Sequence, residues 1–238
     1  MGTAISVQLA DPVGDELADR VFEWFRLVDR RFSTYLADSE VNRLDRGELR
    51  ITHGSDDLRY VFDTCARLWR ETGGYFDIQA TGRLDPSGFV KGWSVQVASD
   101  RLVAAGCANH CLNAGGDIRV RGEQRPGQPW RVGIRHPYEA MRVCAVIEGT
   151  DLAVATSGTY ERGYHVIDPY RGEPARELSS VTVVGPDLGL ADAYATAALA
   201  MGTAGLAWLG HLAGYESYAV TADARSFRSE GLPMARDT

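Results

Sequence analysis

A chain of 238 residues with 45% hydrophobic and 24% charged residues can bury a substantial core, as one large domain or two small ones. Its formal net charge of −7 excludes a general binder of nucleic-acid backbones, because nothing supplies the basic field that such a ligand requires.

From the N-terminus, Ile5, Val7 and Leu9 alternate with Ser6, Gln8 and Ala10, which predicts a half-buried strand over Ala4 to Leu9. Asp11-Pro12 ends it, and Asp15 can cap a helix in which Leu17, Val21, Trp24, Phe25, Val28 and Phe32 recur at helical spacing. Phe32-Ser33-Thr34-Tyr35 then leads through a polar turn to a short element around Val41 and Leu44. Leu58, Val61, Phe62, Cys65, Leu68 and Trp69 mark a second amphipathic helix, stopped by Gly73-Gly74. A loop containing Gly82, Asp85, Pro86 and Gly88 is expected to run as far as Lys91-Gly92-Trp93, with a third helix over Val95 to Ala105. From Cys111 the pattern becomes β, with strands expected at Trp130 to Ile134, Val143 to Ile147, Leu152 to Ala155, Tyr164 to Ile167, Val181 to Val184 and Tyr215 to Thr221. Helices and strands mix without regular β-α-β alternation, so the expected fold class is α+β. The expectation is one compact domain over residues 1–238, with a mixed or antiparallel sheet flanked by helices and an Arg-rich tail frayed beyond Ala224.

Leu190 to Gly202 reads as a helix of strong formers, with Pro186 upstream and Gly202 as its stop. Asp192 and Thr196 lie four residues apart and project from one face. Two readings follow. One is a dipole-favoured Asp near the helix N-terminus beside an ordinary Thr. The other is a pair of oxygen ligands for a hard cation such as Mg²⁺.

Other polar clusters are framed by glycine. Asn113-Ala-Gly-Gly-Asp117 suits either a tight Asx turn or a close backbone approach to an anion. Ala155-Thr-Ser-Gly-Thr-Tyr160 sets hydroxyls at a strand end. In Tyr164-His-Val-Ile-Asp-Pro169 a strand would place Tyr164, Val166 and Asp168 opposite His165 and Ile167, while Asp168-Pro169 alone reads as a turn starter. Asp85 and Lys91 flank Gly88 and could either hold a nucleotide or form a solvated salt bridge. The signatures of P-loop and Rossmann nucleotide binding, zinc proteases and α/β-hydrolases are absent from the sequence. Cys65, Cys107, Cys111 and Cys144 lack paired C-x-x-C spacing and are expected as free thiols. Cys107, His110 and Cys111 could bind metal only in principle, because no second Cys pair accompanies them.

In order along the chain, Met1-Gly-Thr3, Phe32-Ser-Thr-Tyr35 with Asp38-Ser-Glu40, Thr72-Gly-Gly-Tyr-Phe-Asp77 and Asp85-Pro-Ser-Gly-Phe-Val-Lys-Gly-Trp93 resemble motifs of the ApbE-type FAD:protein FMN transferases. Asn113-Ala-Gly-Gly-Asp117, Ala153-Val-Ala-Thr-Ser-Gly158, His165-Val-Ile-Asp-Pro169 and Ala191-Asp-Ala-Tyr-Ala-Thr196 continue the series, so the resemblance extends to about residue 220. Each motif is weak alone; their order makes the match specific.

The resemblance implies binding of FAD and Mg²⁺, with transfer of the FMN half to a Ser or Thr hydroxyl of an acceptor protein and release of AMP. It implies metal ligation by Asp192, Thr196 and the Gly88 carbonyl, and a flavin site lined by Met1, Tyr35, Tyr75, Phe76, Asp77, Asp85, Lys91 and Val166. His165 is the implied general base, with Asp168 next. The acceptor would display a short Ser/Thr-Gly-Ala-Thr-like segment. Competing readings are an FAD pyrophosphatase, in which water replaces the hydroxyl, and a non-catalytic FAD carrier. Phe89-Val90 departs from the smaller residues of many relatives. No apolar run approaches the roughly 20 residues of a membrane span. With no leader before the first strand, the chain as written is expected in the cytoplasm, or exported if a leader has been trimmed.

Overall fold

The computed structural model describes residues 3–14, 16–139, 141–159, 163 and 165–236; Met1, Asp15, Tyr160 and Tyr164 lie outside the described residues. β1 (Ile5–Leu9) is followed by α1 (Glu16–Phe32), which buries Val21, Trp24, Phe25, Val28 and Phe32, the expected stripe. α2 (Glu40–Asp45) is capped by Ser39, whose side chain accepts from the Asn42 N–H. α3 (Asp56–Glu71) is capped likewise by Ser55 and gives way at Gly73 and Gly74, both at positive φ. Trp69, expected in its apolar stripe, is instead 51% exposed.

α4 (Ser87–Ala104) begins well before Val95, so Gly88, Lys91 and Gly92 are helical residues and not part of a loop. Glycine weakens a helix by about 1 kcal/mol relative to alanine, which is why the sequence reads as a loop. Packing reverses that preference. A Cβ on Gly92 would lie 2.8 Å from the Asp192 Cβ and would overlap the Leu188 carbonyl oxygen. The missing side chain therefore lets α4 cross closely over the later helix that carries Asp192.

β2 (His110–Ala114), β3 (Asp117–Arg121), β4 (Glu123–Arg125), β5 (Gln128–Arg135), β6 (Val143–Gly149) and β7 (Asp151–Gly158) follow. Then come β8 (Ile167–Asp168), β9 (Glu173–Pro174), β10 (Leu178–Gly185), α5 (Leu188–Met201), α6 (Ala204–Leu209), β11 (Glu216–Thr221) and β12 (Ser226–Arg228). The strand expected from Tyr164 shrinks to β8, and His165 and Val166 precede it as irregular backbone. Alternation therefore does not govern those side chains.

The fold is α+β, and every pairing among the named strands is antiparallel. The main sheet has the order β1-β2-β3-β7-β10-β11-β12. Its two faces are both covered, which explains the unbroken apolar runs in its central strands. Ala153, Ala155, Val181 and Val183 face a core built with the helices. The alternate residues Val154 and Val184 face a second core with Trp130, Val132 and Ile134 of β5, Ala145 and Ile147 of β6, and Leu232. Helices, sheet and the β5–β6 hairpin thus form three layers. Among the described residues the tail beyond Ala224 is packed, contrary to the expected fraying. β12 pairs with β11, Met234 bridges to Ile147, and Leu232 is buried. Among the described residues no helix is long and apolar enough to cross a membrane.

Candidate active site

α5 is the element around which the site is built. Asp187 caps it through a 2.8 Å bond from the Leu190 N–H, and Gly202 ends it at φ 66°. Almost all of its residues are buried, and Asp192 is 2% exposed among them. A carboxylate there must be paired or neutralised. The Gly92 N–H donates to Asp192 Oδ2 at 3.0 Å, the Lys91 Nζ lies 3.9 Å from Oδ1, and the Asp117 carboxyl adjoins it. Burial, and then the Asp117 charge, hold the Asp192 carboxyl well above the usual carboxylate range; Lys91 and the Gly92 N–H pull the other way.

One turn further along α5, Thr196 Oγ1 lies 3.1 Å from Ser157 Oγ at the end of β7. Gly88, in the first turn of α4, abuts the same hydroxyl: a Cβ built on it would be 3.3 Å from Thr196 Oγ1. Asp192, Thr196 and Gly88 therefore meet at one place. Asp192 brings a carboxylate and Thr196 and Ser157 bring hydroxyls, oxygen donors of the kind a hard divalent cation prefers. No group of three or more His, Cys, Asp or Glu assembles as a metal cluster among the described residues. Any ion here would rely on hydroxyl, carbonyl and ligand oxygens as well.

These atoms form the floor of a cleft of about 890 Å³, ample for a dinucleotide. Tyr35, Tyr75, Phe76, Asp77, Asp85, Gly88, Lys91, His165, Val166, Asp192 and Thr196, scattered through the sequence, all line it. Tyr35 stands 85% exposed at the mouth, held by a loop that Asn42 fixes. The buried Asn42 amide donates to the carbonyls of Ser33 (3.3 Å), Thr34 (3.1 Å) and Leu36 (2.8 Å). From the same short helix, Asp45 accepts the Leu84 N–H at 3.1 Å and so anchors the approach to Asp85. Asp85 in turn accepts the Ser87 N–H at 3.0 Å and steadies the start of α4. Thr72 fixes the Tyr75-Phe76-Asp77 turn by accepting the Phe76 N–H at 2.9 Å.

His165 reaches the cleft as an exposed side chain, with Nδ1 3.0 Å from the Gly163 carbonyl. A carbonyl can only accept, so Nδ1 donates in that contact and Nε2 is the nitrogen left to meet a substrate proton. Asp168 is not in the cleft. Its carboxylate accepts the Tyr170 N–H (2.9 Å) and faces Arg171 at 3.5 Å, so the turn-starter reading describes its place. Met1 lies outside the described residues.

Three features escaped the sequence reading. Asp117 is fully buried, with Oδ2 2.7 Å from Lys91 Nζ. Asn42 acts through backbone carbonyls that no residue pattern announces. Arg135 and Gly133 bring β5, from the third layer, to the cleft wall. The Asn113 motif forms the Asx turn, Oδ1 accepting the Gly116 N–H at 2.9 Å, and its glycines also line the cleft. His110 is a core residue between Ser99 Oγ (2.8 Å) and the Cys107 carbonyl (3.1 Å), not a metal ligand, and all four cysteines are free. Phe89 is buried in the core against Gly189, and Val90, also buried, lines the cleft.

A three-layer α+β fold with an oxygen-lined pocket between two glycine-crossed helices is a recognisable class, and comparison places it. The model of the ApbE family matches residues 1–82 and 79–219, and the chain belongs to that family. A FAD:protein FMN transferase of Vibrio cholerae serotype O1 is 39% identical over 129 residues, covering 50% of this chain and 39% of that protein. One from Rhodobacter capsulatus is 40% identical over 123 residues, covering 48% and 23%. The aligned stretches thus span well under half of those relatives. The solved flavin transferase ApbE from Vibrio cholerae superposes with a TM-score of 0.86 at 24% identity, over 99% of this chain and 96% of that one, which establishes the shared fold. The apo flavinyl transferase ApbE of Pseudomonas stutzeri gives 0.80 at 24% identity, over 97% and 92%.

Proposed function

We propose that this chain transfers the FMN moiety of FAD to a Ser or Thr hydroxyl of an acceptor protein and releases AMP. The observation that carries the reading is the convergence of Asp192, Thr196 and Gly88 on the floor of one cleft whose wall and mouth hold Lys91, Tyr35 and His165. The relatives named as FAD:protein FMN transferases support it.

Asp192, Thr196 and the Gly88 carbonyl would hold Mg²⁺, which when bound offsets the charge of the pyrophosphate. The Lys91 ammonium, at the cleft wall, supplies a further positive charge for a phosphate oxygen. Tyr35, Tyr75 and Phe76 offer aromatic surface, and Asp85, Asp77 and the backbone near Val166 offer polar partners along the flavin nucleotide. His165 Nε2 takes the proton of the acceptor hydroxyl as its oxygen bonds to the phosphorus on the riboflavin side. The bond from that phosphorus to the bridging oxygen breaks, and AMP leaves with the bridging oxygen. An acceptor segment with a Ser/Thr-Gly-Ala-Thr-like sequence would have to enter past Tyr35 and His165.

The test is incubation with FAD, Mg²⁺ and a co-expressed acceptor candidate, followed by mass spectrometry. Gain of one FMN on the acceptor, abolished by EDTA and by Asp192→Ala, is the expected result. Rapid AMP release with no labelled protein would show a pyrophosphatase instead, and FAD surviving intact for hours would show a carrier.

A further inference from the structure

Asp117 is a fully buried carboxylate that the mechanism above does not use. Its position is set independently of the cleft. It opens β3 directly after the Gly115-Gly116 turn, and its Oδ1 accepts the Thr156 N–H at 3.3 Å from the neighbouring β7. Oδ2 forms no aligned hydrogen bond but stands 2.7 Å from Lys91 Nζ. The same ammonium is 3.9 Å from Asp192 Oδ1. One lysine on a flexible four-carbon stem therefore sits between two carboxylates, closer to the one that is anchored to the sheet.

We propose that Asp117 is a positioning residue: it holds the Lys91 ammonium away from Asp192, so that Asp192 stays open to a divalent cation. The inference rests on the flavin-transfer reading and gives that site an internal competitor for its metal. Among the described residues, the carboxylate next nearest to Lys91 after Asp117 is Asp192, and a short swing of the stem would close the remaining gap. In a buried setting such a pair is held strongly. An ammonium on Asp192 would then occupy the charge-neutralising role that the cation must take.

The probe is Mg²⁺ alone, titrated calorimetrically into the whole chain without FAD. Asp117→Asn keeps an Oδ1 acceptor for the Thr156 N–H while removing the charge. It should weaken Mg²⁺ binding by about tenfold or more, the scale seen when a group supporting a metal ligand is lost. Adding Lys91→Met to that variant should restore binding to within about threefold of the parental value, because the competitor is gone. Parental affinity in Asp117→Asn would overturn the proposal. So would a loss that Lys91→Met does not relieve, since Asp117 would then be a ligand itself or a purely structural support. Should Asp117→Asn fail to fold, Lys91→Met alone carries the test. It must bind Mg²⁺ at least as tightly as the parent, and weakening by about tenfold overturns the idea. A parental chain that takes up no Mg²⁺ would remove the metal reading and this inference together, whereas parental uptake with a silent Asp117→Asn removes only the inference.

Discussion

At the scale of single residues, the two histidines show how one side-chain type is put to different uses. His165 is exposed in the cleft with Nδ1 on the Gly163 carbonyl, whereas His110 is wholly buried with both ring nitrogens occupied. His165→Ala should lower FMN transfer by about 10²-fold or more, the usual worth of a placed general base. Asp168→Ala should cost far less, because its carboxylate serves a turn outside the cleft. Steady-state transfer rates of the two variants decide the order, and equal losses would sink the assignment. For His110, burial holds the imidazole below its ordinary value. The unfolded chain then takes up a proton near pH 6.5 that the folded chain refuses. Stability is therefore full above about pH 6.5 and falls as the pH drops below it, by at most about 1.4 kcal/mol per pH unit from this group. Urea unfolding at pH 7 and pH 5.5 should show a smaller difference for His110→Gln than for the parent, titrations common to both proteins cancelling. The residues that the family resemblance named, Met1 and Asp168 apart, line the cleft, while others such as Thr81, Ile118, Gly133 and Arg135 were not among them. Asp117 went unassigned for a physical reason: its role depends on a lysine 26 positions away, and no local pattern encodes that distance.

At the scale of elements, the strands and amphipathic helices were legible wherever one face is buried, as in α1 and β5. Of α4 only the half from Val95 was legible, because its N-terminal half is buried nearly all round and carries two glycines, so it shows neither a helical stripe nor helical propensity. Those glycines make the site possible. Gly92→Ala sets two effects against each other. Helix propensity favours alanine by about 1 kcal/mol, while overpacking a tight contact typically costs about 1–3 kcal/mol. The atoms that would be met are the Leu188 backbone carbonyl and the Asp192 Cβ, neither the end of a flexible side chain, so the overlap should win. A net loss of up to about 2 kcal/mol is expected, seen as a lower urea midpoint at unchanged slope. Mg²⁺ affinity should fall as well, because α5 cannot move from α4 without carrying Asp192 with it. A stabilised Gly92→Ala protein would mean that the crossing is looser than its geometry.

At the scale of the whole molecule, the C-terminal residues form part of the third layer. The expected fraying of the tail followed from its arginines and polar residues, and β12 is indeed exposed along Ser226–Arg228. What anchors the segment lies further on. Leu232 is 5% exposed in the second core, the Glu148 N–H donates to the Pro233 carbonyl at 2.9 Å, and the Ala235 N–H donates to the Val146 carbonyl at 2.8 Å. One leucine in a polar stretch has no periodicity, so only the fold reveals its partner surface. That surface belongs to the β5–β6 hairpin, whose Gly133 and Arg135 form a wall of the cleft. Two outcomes separate the frayed tail from the packed one. If the tail were loose, Leu232→Ala would change neither stability nor activity. If it is packed as described, the cavity left behind should cost about 2–3 kcal/mol. For a chain of this size that lowers the melting temperature by roughly 4–12 °C. The hairpin should loosen first, so FAD affinity, measured by quenching of flavin fluorescence, should weaken before the helical layer unfolds. A melting temperature within about 1 °C of the parent would return the segment to a free tail, because a buried leucine cannot be truncated at no cost.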